Sequence, residues 1–152
     1  MSYKPLFIDP EAERFQLSRI QTFSRWLHKY IPLRIYYELP YGRRSLESQL
    51  KSRSSAPVNE WDTISIPYRM AKPILDVISV ELNLPNAHFI PEDPVEIALI
   101  EDYDDFPLLW LYAGFKELMK LSVEFDEFRH FLVNEATNIE SLVRYLIRLD
   151  NR

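Results

Sequence analysis

The apolar run Phe106-Pro107-Leu108-Leu109-Trp110-Leu111-Tyr112-Ala113 follows directly on the acidic segment Glu101-Asp102-Tyr103-Asp104-Asp105. Carboxylates at that place favour the positive end of a helix dipole, so a helix is expected to begin there. Residues 106–121 are apolar on almost every side, which predicts a central buried helix around which the remaining elements must be arranged.

Proline and glycine usage narrows what can surround it. Eleven prolines stand against two glycines, Gly42 and Gly114, which are far apart. Glycine-rich phosphate loops need several backbone positions free of a side chain, so this chain is not expected to bind nucleotides through a P-loop or a dinucleotide fingerprint. The absence of cysteine removes disulfides, thiolate nucleophiles, cysteine-type zinc sites and iron–sulfur clusters. With 152 residues, 47% of them hydrophobic and 14% aromatic, the chain can build one ordinary domain with a real core. The first nine residues lack a basic region followed by an apolar stretch, and no apolar run approaches the ~20 residues that span a bilayer. A cytoplasmic protein with no membrane partner is the expectation.

Periodicity places the elements. Phe15, Ile20, Phe23, Trp26, Leu27 and Tyr30 recur at helical spacing, Asp9-Pro10-Glu11 supplies the start signals, and Pro32 bars continuation. Residues 33–39 alternate as a strand, Pro40-Tyr41-Gly42 makes a turn, and the β-prone Thr63-Ile64-Ser65-Ile66 is a candidate partner for a small hairpin. Residues 43–57 between them are serine-rich and basic, which reads as a mobile connection with room for one helical turn. From residue 68 the pattern is helical again, with Met70, Ile74, Val77, Ile78 and Leu82 on one face. Pro73 is expected in the first turn, a regular start near Ala71, and an end before Pro85. Residues 86–105 read as a long structured loop with a short helix near 95–100. A short helix at 127–132 follows, and then a helix over 137–149 with Thr137 as N-cap and Glu140 three residues later.

The order from Met70 to Leu149 resembles the acyl carrier protein family: helix, proline-containing loop, helix after an acidic run, short helix, capped terminal helix. Three stretches carry the likeness. Residues 74–82 look like the family's first helix, Phe89-Ile90-Pro91-Glu92-Asp93 like the start of its long loop, and residues 136–146 like its last helix. The family attaches phosphopantetheine to the serine of an Asp-Ser-Leu motif, over which this chain places Asp104-Asp105-Phe106, with Asp105 at the serine. A carboxylate cannot accept that phosphodiester, so the resemblance implies a relative that carries no cofactor.

The fold expected is mainly α: a carrier-like four-helix bundle in residues 68–152, preceded in 1–67 by a helix, a possible hairpin and a basic linker. Residues 1–60 carry ten Lys/Arg against six Asp/Glu, a net of +4, and residues 61–152 carry eight against seventeen, a net of −9. The acidic half directs attention to Asp102, Tyr103, Asp104, Asp105 and Phe106 as a surface that docks on the basic face of a partner protein, with no catalysis and no cofactor. The competing expectation is a carboxylate-based domain, one that binds a divalent cation through the same acidic run or a hydrolytic one in which Glu92 or Asp93 pairs with Glu101 or Asp102 as general acid and base. His28, His88 and His130 are scattered, and no nucleophile motif is present. The basic tract Arg43, Arg44, Lys51 and Arg53, with Tyr36, Tyr37 and Tyr41, offers contacts to nucleic acid, but most of the remaining chain is acidic.

Overall fold

The computed structural model describes residues 3–7, 43–99 and 106–150. The helix expected at 10–30 and the strand expected at 33–39 lie outside them. Among the described residues the chain is mainly α, with six α-helices, one 3-10 helix and no strand. In chain order these are α1 (Arg43–Ser52), α2 (Val58–Thr63), α3 (Tyr68–Glu81), the 3-10 helix (Val95–Leu99), α4 (Phe106–Met119), α5 (Phe125–Asn134) and α6 (Ile139–Asp150).

α1 replaces most of the mobile connection expected at 43–57. Leu46 and Leu50, one turn apart, are 2% and 0% exposed, and burying each contributes on the order of 1.5–3 kcal/mol. The serine and lysine side chains that suggested a linker, Ser45, Ser48 and Lys51, are only its outer face.

The second strand of the expected hairpin is also absent. Thr63 is the last residue of α2, and Ser65 adopts a left-handed φ of 63° that turns the chain towards α3. Trp61 decides the local structure: its ring is fully buried and its indole N–H donates to the Phe89 carbonyl at 2.8 Å, which holds 58–63 as a helical turn.

α3 starts three residues before Ala71 because the Tyr68 N–H finds a carboxylate outside the helix, Asp62 Oδ1, at 3.0 Å. Pro73 consequently lies beyond the first turn, on the exposed side. Ala71, Ile74, Leu75 and Ile78 face the core, whereas Met70, expected on that face, is exposed. The helix ends in a Schellman arrangement built on asparagine. Asn83 has φ 50°, its N–H donates to Val80, and the Leu84 N–H donates to Ser79.

The expected helix near 95–100 is the 3-10 helix. α5 extends the expected 127–132 segment at both ends. α6 is capped one residue later than Thr137: Asn138 Oδ1 accepts the Ser141 N–H at 2.9 Å, and Ser141 Oγ accepts the Asn138 N–H at 3.2 Å. That reciprocal pair does the work expected of Thr137 and Glu140. Glu140 is instead paired with Arg144.

One apolar core joins these elements. Leu6, Leu46, Leu50 and Trp61 belong to the same buried cluster as Leu75, Phe89, Phe115, Phe128 and Leu142, so it crosses the expected division at 67/68. α4 meets α5 through aromatic edges, with Tyr112 and Phe125 centroids 5.5 Å apart and Phe115 and Phe128 6.0 Å apart.

α4 meets α3 at Gly114, where a β-carbon would stand 2.8 Å from Val77 Cγ1 and 3.2 Å from Glu81. Helix propensity favours alanine over glycine by ~1 kcal/mol, but a clash with a β-branched side chain in a packed crossing costs about 1–3 kcal/mol. Gly114→Ala is therefore expected to destabilise the fold, and a rise in the urea midpoint would contradict this packing.

Candidate functional site

Asp102, Tyr103, Asp104 and Asp105, expected to form the docking surface, lie outside the described residues, and Phe106 is the first residue of α4. The helix they lead into can be read from its second residue pair onward. Leu108, Leu111, Tyr112 and Phe115 are buried, but Leu109 is 41% and Trp110 59% exposed. Ala113 shares that outer face, which turns charged further along at Lys116 and Glu117. The central helix expected to be buried all round is thus amphipathic in an unusual sense: apolar inside, and apolar outside over its first turns.

A second constellation, invisible in the sequence, sits at the opposite extreme of burial. Asp93 is 0% and Arg53 4% exposed. Arg53 Nη1 lies 2.6 Å from Asp93 Oδ2 and Nη2 lies 2.8 Å from Oδ1, a two-pronged pair. Each carboxylate oxygen also accepts one backbone N–H, Oδ1 from Leu6 and Oδ2 from Ile90, both at 2.8 Å. The guanidinium donates in turn to the carbonyls of His88 at 2.8 Å and Lys4 at 2.7 Å, and stands over the Tyr3 ring. The Asp93 and Pro91 carbonyls accept the Ile139 and Glu140 N–H groups at the start of α6. One ion pair therefore fastens residues 3–7, the end of α1, the proline loop and α6.

Compared with protein-family models, with curated proteins and with solved structures, the chain matches none.

The ion pair has no spare acceptor with which to do chemistry. Asp93 accepts four hydrogen bonds, so the expected pairing of Glu92 or Asp93 with Glu101 or Asp102 loses its buried member, while Glu92 is exposed and the other two lie outside the described residues. Arg53 is likewise withdrawn from the basic tract expected to reach phosphates. His88 Nδ1 is 2.7 Å from the Arg53 carbonyl and belongs to the same clasp. His130 is exposed beside Glu135, and His28 lies outside the described residues. Among the described residues no group of three or more His, Asp or Glu side chains is placed to hold a metal ion, and no helix is long and apolar enough to cross a membrane.

The tyrosines bordering these elements are tuned by contact. Hydrogen bonds to Ser55 lower the Tyr3 hydroxyl from its ordinary value, and burial raises that of Tyr68. Both shifts express how the chain packs.

Proposed function

We propose that this chain is a non-enzymatic protein–protein interaction module. It is a carrier-like helical bundle without the modifiable serine, and it docks on a basic partner through the acidic segment before α4 and the exposed first turns of that helix. The observation that carries this reading is Trp110, 59% exposed beside the 41% exposed Leu109. Single exposed apolar side chains are ordinary, but two large ones side by side, continued by Ala113, make a patch. Tryptophan is among the residues that most often dominate a binding interface. In sequence the patch follows five residues of which four are acidic, so an apolar anchor and a negative field come together for a partner with an apolar pocket rimmed by Lys or Arg.

The order α3, proline loop with a 3-10 helix, α4, α5, α6 supports the carrier-like reading, with Asp105 at the place of the modified serine. On that reading the family's docking surface is retained and its cargo is not.

The test compares partners recovered from the source cells by the wild-type chain, by Asp104→Lys/Asp105→Lys and by Trp110→Glu, using mass spectrometry. A partner held by the wild type should be lost by both variants and should elute as ionic strength rises. Because Trp110 is exposed, Trp110→Glu should change stability by no more than about 0.5 kcal/mol, so a loss of binding is not a loss of fold. Recovery of the same proteins by all three chains sinks the proposal.

A further inference from the structure

A cleft of about 200 Å³ lies between the turn joining α2 to α3 and the C-terminal half of α6. Ser65, Ile66, Pro67 and Met70 line it from the turn and the start of α3, and Arg144, Ile147 and Arg148 line it from α6. The two arginines stand one helical turn apart on α6. The two sides are tied together, since Arg144 Nη2 donates to the Ile64 carbonyl at 3.0 Å while its Nε binds Glu140 Oε1 at 2.7 Å. Two of the five guanidinium N–H groups of Arg144 are thereby committed and the others remain available. Arg148 is exposed and makes no ion pair among the described residues.

The charge here runs against the molecule. The chain carries −5 overall, and residues 61–152, which contain the cleft, carry −9. Two like charges one turn apart also disfavour a helix, and the negative C-terminal end of α6 offsets this only for the later arginine. Size decides the class of ligand. Small-molecule sites usually enclose about 300–1,000 Å³, and this cleft is smaller and has cations on one side only. It has room for one bulky apolar side chain, with guanidinium groups beside it to bind carboxylates two-pronged.

We propose that this cleft is a docking site for an acidic peptide segment of a partner protein, in which one bulky apolar residue is flanked by Asp or Glu. The apolar side chain sits between Ile66, Met70 and Ile147, and the carboxylates bind Arg148 and the free face of Arg144. The site is separate from the Trp110 face in both position and sign of charge, so it stands whether or not that face binds a partner.

The experiment selects a displayed library of random short peptides on the immobilised full chain. It then measures the enriched sequences as synthetic peptides by fluorescence anisotropy against the wild type, Arg148→Glu, Met70→Glu and Asp104→Lys/Asp105→Lys. Enrichment of a bulky apolar residue next to Asp or Glu is expected. Affinity should fall roughly tenfold or more with Arg148→Glu and with Met70→Glu, and should drop as salt rises. The double lysine variant should leave it unweakened. Both Arg148 and Met70 are exposed, so circular dichroism should show each variant folded. No enrichment, enrichment of peptides without carboxylates, or binding that ignores Arg148→Glu would each overturn the proposal.

Discussion

Arg53→Met should lower the free energy of unfolding by about 3–5 kcal/mol, because it leaves the Asp93 carboxylate buried without its counter-charge. Small domains are held by only ~5–15 kcal/mol in total, so this single change removes a large share of the margin. Arg53→Lys should fall between the two, since an ammonium cannot make the paired contacts to Oδ1 and Oδ2 at 2.8 and 2.6 Å or reach both carbonyls at once. The double change Arg53→Met/Asp93→Leu should recover part of the loss by removing the unpaired charge. It should not recover all of it, because the Leu6 and Ile90 N–H groups lose their acceptor. Urea unfolding followed by circular dichroism gives the ranking. An Arg53→Met protein within 1 kcal/mol of wild type, on the order of an exposed pair, would mean that the clasp is ornamental.

Trp61→Ala should cost a similar amount, about 3–5 kcal/mol, for a different reason. The ring is fully buried and alanine leaves a cavity in the apolar cluster to which it belongs. Trp61→Phe separates packing from hydrogen bonding. It keeps much of the apolar volume and removes the donor to the Phe89 carbonyl, so a loss nearer 1–3 kcal/mol is expected. Equal losses for the two variants would show that the hydrogen bond alone carries the effect. Because the indole links α2 to the proline loop, Trp61→Ala should also expose amides near Phe89 to hydrogen exchange before those of α6.

What could be read from the sequence follows the range of the forces concerned. α3, α4, α5 and α6 were legible because their apolar side chains repeat at helical spacing, a local signal. Their starts were less so, since the caps come from elsewhere: Asp62 sets the beginning of α3 from outside the helix, and Asn138 with Ser141 displaces Thr137. α1 is not legible in the sequence because Leu46 and Leu50 are one pair of apolar residues amid polar and charged ones, and only contact with the core gives that pair its weight. The Arg53–Asp93 clasp left no trace, since its partners are 40 residues apart and nothing near either marks it. Apolar content on all sides suggested burial, whereas Leu109 and Trp110 remain exposed because no described element covers that side of α4.

The clasp also imposes an order on synthesis. Arg53 leaves the ribosome 40 residues ahead of the carboxylate that neutralises it, and the Leu6 amide 87 residues ahead. At ~5–20 residues per second those intervals are about 2–8 s and 4–17 s. Throughout that time residues 3–7 and α1 exist without the group that fixes them. Residues 3–7 and α1 therefore complete their clasp only after the proline loop has been made, and their fate during translation rests on whatever shelters Leu46 and Leu50 until Asp93 arrives.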